Sequence, residues 1–116
     1  KDLLVAIMTL KKLHENRHLF SVLSTSKPQL RKAILKHGID NDFINLISEL
    51  CLNLTEGNVQ LPEGVRQQTK QHRSTVRALA CKNKGKKFKR KRLLQAGGSF
   101  FTLLLPIIAG LVNSFL

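Results

Sequence analysis

The 116 residues include no tryptophan and no tyrosine. Six phenylalanines are the only other large rings, which argues against the aromatic platform on which single-strand binders stack bases. Acid is missing from the second half. All seven Asp and Glu lie in residues 1–65 beside eight of the twenty Lys and Arg, and the other twelve cations lie in residues 66–116 with no acid at all. The net charge of +13 is therefore carried almost wholly by one half, and such a surface is built to face something negative.

Motifs of catalysis are also missing. No His-Glu-x-x-His, paired-cysteine motif, phosphate-cradling glycine loop or nucleophile elbow occurs. Glu49 and Glu56 are isolated acids rather than an acid/base couple, so no enzyme activity, catalytic residue or cofactor is expected. His14 and His18 have the i, i+4 spacing that can share a metal, but no further ligands accompany them, and no metal is expected. His72 lies on an apolar stripe and reads as a boundary residue. The two cysteines, Cys51 and Cys81, sit inside helical patterns and are expected as free thiols in a reducing, intracellular compartment. Asn53-Leu54-Thr55 has the form of a glycosylation acceptor but falls on a helix face. Residue 1 is Lys rather than Met, so the native start is expected upstream.

What is present is helical periodicity. Residues 2–24 carry Leu3, Leu4, Ile7, Leu10 and Leu13 and then Leu19, Phe20, Val22 and Leu23, with a possible break in the polar patch between. Ser24-Thr25-Ser26 offers capping hydroxyls before Pro28, and a helix over 28–37 is expected to stop at a left-handed Gly38. Asp40 and Asp42 open the strongest helix, whose stripe Phe43, Ile47, Leu50, Cys51 and Leu54 predicts a central position and whose end is Gly57. After a loop at 57–64, a helix is predicted over 64–81.

That last helix carries Arg66, Lys70, Arg73 and Arg77 at steps of four, three and four, a basic stripe about 100° from its apolar face. Residues 82–92 follow with eight cations in eleven positions: Lys82, Lys84, Lys86, Lys87, Lys89, Arg90, Lys91 and Arg92. Self-repulsion predicts an extended, disordered linker until a polyanion neutralises it. Stripe and run together are the candidate phosphate contacts, neutralising a backbone without reading bases.

Gly97-Gly98 joins the run to a stretch with no charge. The 17 residues from Phe100 to Leu116 span about 25 Å as a helix, against about 30 Å for a bilayer core. Phe100, Phe101, Leu104, Pro106, Ile107, Ile108 and Leu111 mark this tail as a membrane-inserting helix, an assembly segment or a spanning anchor. A plain core helix is disfavoured, because every face looks apolar.

Residues 89–110, Lys-Arg-Lys-Arg-Leu-Leu-Gln-Ala-Gly-Gly-Ser-Phe-Phe-Thr-Leu-Leu-Leu-Pro-Ile-Ile-Ala-Gly, resemble the end of the adenovirus core-peptide (mu) precursor. In that family a basic segment, a Gly-Gly and a Leu/Pro/Ile/Ala segment follow one another. Leu-Asn-Leu-Thr-Glu-Gly-Asn-Val-Gln-Leu at 52–61, with the run and tail, is similar to proteins of Polinton (Maverick) elements and adinto-type viruses. The resemblance implies a virion protein that condenses double-stranded DNA in the virion and host nucleus. It also implies cleavage at Gly97-Gly98 by an adenovirus-type cysteine protease. Gln95 departs from the pattern, standing where that protease meets an apolar residue.

The sequence thus predicts an all-α chain. Residues 1–81 form a bundle of three to five short helices, 82–98 a disordered basic linker, and 99–116 an apolar tail. The leading function is non-enzymatic, sequence-nonspecific binding and condensation of double-stranded DNA as a virion core or minor capsid protein. The alternatives are a membrane-active protein whose tail enters anionic bilayers beside the cationic run, and a helical adaptor with a nuclear-localisation signal. Capsid proteins are a further partner for the tail.

Overall fold

A computed structural model describes the backbone of residues 3–115 and the side chains of residues 7–114. Among these residues every regular element is helical: α1 (Leu3–Glu15), α2 (Arg17–Thr25), α3 (Pro28–Ala33), α4 (Asn41–Thr55), α5 (Glu63–Gln71), α6 (Arg73–Ala80) and α7 (Lys86–Phe115).

The first expected helix is two, because Asn16 leaves the helical region (φ −98°, ψ 7°). Its amide donates to the Lys12 carbonyl at 2.8 Å, and Arg17 donates to the His14 carbonyl at 2.7 Å, so side chains satisfy the end of α1. The Ser24, Thr25 and Ser26 hydroxyls all donate back to carbonyls of α2 instead of capping α3. Helix α3 starts on Lys27 in extended conformation with Pro28 in its first turn. It ends in a π-helical turn, Ile34–Gly38, and extended Ile39 follows. Gly38 is not left-handed, in contrast to the expectation; among the described residues only Gly57 and Gly97 have positive φ.

Helix α4 matches its sequence signals. The Asp40 carboxylate accepts from the Phe43 amide at 2.9 Å, and Phe43, Ile44, Leu46, Ile47, Leu50 and Cys51 are buried. The helix expected over 64–81 is broken at His72 (φ −106°, ψ 19°), where the imidazole meets the Phe100 ring edge-on at 5.9 Å.

The largest difference lies beyond residue 81. The basic run is helical from Lys86 onward, and this helix continues to Phe115 across one kink at Gly97 (φ 76°, ψ 175°). Its second half is part of the core. Phe100, Phe101 and Leu104 are fully buried, and Leu103, Ile107, Ile108 and Val112 nearly so, in one cluster with Leu13, Phe20, Leu35, Ile47 and Leu79. One core therefore runs through the expected boundaries at 81 and 98. Helix α7 packs most extensively on α2, and α4 on α6.

The kink is set by contact as well as by φ. A Cβ on Gly98 would stand 2.6 Å from Arg31 Nη2 and 3.0 Å from the Ser24 carbonyl. Arg31 itself closes α2, donating from Nε to the Leu23 carbonyl at 2.9 Å and from Nη2 to the Ser26 carbonyl at 2.6 Å. Only glycine lets α7 come this close.

Candidate nucleic-acid interface

The basic stripe survives the break in its helix. Arg66 and Lys70 leave α5, Arg73 and Arg77 leave α6, and all four are exposed. They border one concavity of about 240 Å³ whose floor is Leu54, Leu61 and Val76, with Thr55 and Thr69 beside it. No carboxylate lines it. The sequence places these cations on one stripe; the hollow between them comes from the kink at His72 and the end of α4.

The run is divided. Residues 82–85 form a turn, in which the Lys84 amide donates to the Cys81 carbonyl at 3.3 Å. Lys82, Lys84, Lys86, Lys87 and Lys91 are exposed. The Lys84 ammonium lies 5.1 Å from the centre of the Phe88 ring, an exposed side chain. Three cations turn inward. Lys89 is 9% exposed. Arg90 Nη1 donates to the Leu35 carbonyl at 2.7 Å and the Ile39 carbonyl at 3.1 Å, across the end of the π-helical turn. Arg92 Nη2 donates to Ser74 Oγ at 2.7 Å and ties α7 to α6, while its Nε is buried without a partner.

These contacts explain why the run folds despite its charge. Like charges three or four residues apart on a helix cost about 0.2–0.5 kcal/mol each. Burying Leu93, which is fully enclosed, returns about 1.5–3 kcal/mol, and charge-assisted bonds such as those of Arg90 about 1.5–3 kcal/mol more. Packing outweighs repulsion. The expected disorder of 82–98 is thus corrected for the part from Lys86 on.

Lys89 also approaches Cys51. Burial pushes the Cys51 thiol up to about 12, with the Lys89 ammonium opposing the shift. Cys51 and the half-buried Cys81 are both free thiols.

Gly97 and Gly98 are half-buried inside α7, not in an exposed joint. Of the tail residues, Phe100, Phe101, Leu104, Ile107 and Ile108 point into the core, Leu111 is half-buried and Pro106 is exposed. By length and composition alone Lys86–Ser114 is long and apolar enough to cross a membrane, a test that a core helix also passes. His14 (half-buried) and His18 (exposed) border a cavity of about 750 Å³ between α1–α2 and residues 105–113. Among the described residues no three His, Cys, Asp or Glu side chains gather as a metal site.

Compared with protein-family models, with curated proteins and with solved structures, the chain matches none.

Proposed function

We propose that this chain is a non-enzymatic, sequence-nonspecific binder and condenser of double-stranded DNA. The observation that carries this reading is the set of nine exposed cations, Arg66, Lys70, Arg73, Arg77, Lys82, Lys84, Lys86, Lys87 and Lys91, in a stretch with no acid. Such cations neutralise phosphates and release counterions, and they carry no base information. The remaining three of the twelve original candidates, Lys89, Arg90 and Arg92, face inward and are assigned to the fold.

The resemblance of residues 89–110 to the adenovirus core-peptide precursor supports a place in a virion core or minor capsid layer, reached in the host nucleus. Capsid proteins and an adenovirus-type cysteine protease are the further partners of that reading. A membrane-active role is the second reading. What favours it is the helix Lys86–Ser114, which is long and apolar enough for a span and carries no charge after Arg92.

Salt titration tests the first reading. Contact with eight or nine phosphates gives a slope of log affinity against log salt near about −7 to −8 for duplex DNA, the same for scrambled sequences. A slope shallower than about −2, or tighter binding to anionic vesicles than to duplex, sinks it.

A further inference from the structure

The hollow between α4 and α5–α6 has a chemistry that a duplex backbone does not use. Its rim is all donors: Arg66, Lys70, Arg73 and Arg77. Two threonines stand beside its apolar floor. Thr55 Oγ1 donates to the Leu52 carbonyl at 2.8 Å, and Thr69 Oγ1 donates to the Val65 carbonyl at 2.8 Å. With their protons committed to their own helices, both hydroxyls can meet a ligand only as acceptors. Between them lies an aliphatic surface that no phosphate can use.

A B-form duplex turns phosphates and deoxyribose outward, and neither carries a hydrogen-bond donor. Its backbone would satisfy the rim and leave the floor unserved. An unpaired nucleotide brings what is missing: a flat, weakly polar base whose amino or imide groups donate, attached to phosphates that accept. At about 240 Å³ the hollow is below the roughly 300–1,000 Å³ of pockets that take a whole small ligand, so it holds one unit of a longer chain. No aromatic side chain lines it, so the base is held by aliphatic contact and hydrogen bonds rather than by stacking.

We infer that this hollow seats one unpaired nucleotide of a single-stranded nucleic acid, with its phosphates on the cationic rim and its base on the floor. The inference rests on the phosphate-binding role proposed above and adds a preference to it. The chain engages any phosphate backbone through its exposed cations. Where strands are open, a base enters the hollow and binding tightens.

The test uses the full chain and three probes of equal phosphate count: a mixed-sequence single-stranded DNA, an abasic deoxyribose-phosphate chain, and a duplex. Fluorescence anisotropy at one salt concentration gives the affinities. The base-bearing single strand should bind several-fold tighter than the abasic chain. Thr69→Val, which keeps shape and removes the acceptor, should shrink that preference about two- to tenfold and leave abasic and duplex affinities unchanged. Thr55→Val, on a different helix, should do the same, and circular dichroism checks that each variant folds. Arg73→Ala should weaken all three probes. Equal binding of base-bearing and abasic chains by the wild type overturns the base seat and leaves the duplex-binding reading standing. So does a uniform loss in both threonine variants. Failure to bind any probe at low salt overturns both.

Discussion

The Arg90 guanidinium donates to the Leu35 carbonyl at 2.7 Å, across 55 positions of sequence. The same Nη1 reaches the Ile39 carbonyl, so one cation closes the end of the π-helical turn and fixes the first half of α7 against it. A residue that composition assigns to a phosphate is a structural staple.

This division of labour separates two otherwise similar substitutions. Arg90→Ala removes a charge-assisted donor from two half-enclosed carbonyls and should lower stability by about 1.5–3 kcal/mol in urea unfolding. Its effect on the salt slope of DNA binding should be negligible. Lys87→Ala, at an exposed position, should leave the melt unchanged and reduce the slope by about 1. Equal effects of the two on both measurements would show that Arg90 is not committed to the fold.

The single core predicts what truncation does. Residues 1–98 lack Phe100, Phe101, Leu103, Leu104, Ile107, Ile108 and Val112, all buried in the same cluster as α2, α4 and α6. Such a fragment should lose its cooperative thermal transition. In the full chain, Ile47→Ala should cost about 2–5 kcal/mol and Phe100→Ala about 3–5 kcal/mol, since both side chains are fully enclosed. A sharp melt from residues 1–98 would mean that α7 is dispensable.

How much of this was legible in the sequence depends on which signal each residue carries. Helix α4 was readable because Asp40 caps it and its stripe recurs at helical spacing. The break at Asn16 falls in the polar patch that interrupts the apolar pattern, and local bonds from Asn16 to the Lys12 carbonyl and from Arg17 to the His14 carbonyl settle it. The break at His72 was not readable, because no Pro or Gly marks it and its imidazole meets Phe100 only in the folded chain. Mean hydropathy hides the inward face of the tail. Phe100, Phe101, Leu104, Ile107, Ile108 and Val112 follow helical spacing, and Thr102, Pro106, Ala109 and Asn113 lie exposed on the other side, so an inward face was present in the pattern. The inward cations follow from phase. Once Leu93 is in the core, Lys89 and Arg90 lie one turn before it on the same face, and a charge count carries no phase. The four stripe cations could be placed together from sequence; the hollow they border could not.

The glycines of α7 and its neighbours should respond differently to alanine. At Gly98 a Cβ meets Arg31 Nη2 at 2.6 Å and the Ser24 carbonyl at 3.0 Å, so Gly98→Ala should destabilise and disturb the end of α2. At Gly97 the space is open but φ is 76° and ψ 175°, a region that glycine alone adopts readily, and alanine there should cost about 1–3 kcal/mol of backbone strain. At Gly110 nothing lies within 4 Å and the backbone is helical, so alanine should stabilise by about 0.5–1 kcal/mol. Thermal melts of the three variants give the order, and a stabilising Gly98→Ala would contradict the close approach of α7 to α2.

Cys51 gives the fold a dependence on alkaline pH. Its thiol ionises near 9.0 in an unstructured chain and about 12 in the fold. The folded state therefore keeps a proton that the unfolded state loses, and this contribution to stability is complete below pH 9 and declines toward pH 12. The useful measurement is the difference between wild type and Cys51→Ala across that range. The wild type should lose stability relative to the variant by up to about 1.4 kcal/mol per pH unit. Parallel curves would show that the thiol is not enclosed. Maleimide at neutral pH should label Cys81 well ahead of Cys51.

The proposed cleavage after Gly98 meets a physical obstacle that sets its behaviour. A protease cleft holds its substrate extended, but Gly97 and Gly98 are half-buried between two helical segments and Gly98 touches Arg31. Several residues on each side must leave the helix first, and the seven core side chains that follow Gly98 oppose that opening. An adenovirus-type cysteine protease should therefore cut the native chain slowly, at a rate limited by local opening of α7. Mild urea should speed the cut before it inhibits the enzyme. Gln95→Leu, which supplies the apolar residue the resemblance calls for, should speed cutting of the opened chain more than that of the folded one. Cleavage also has a consequence: residues 1–98 lose the centre of their core, so the product should lose its cooperative melt while keeping all twelve cations of residues 66–92. Mass spectrometry with a parallel circular-dichroism trace reads both events. Rapid cutting of the native chain, with a product that still melts cooperatively, would show that the second half of α7 is an appendage and not part of the core.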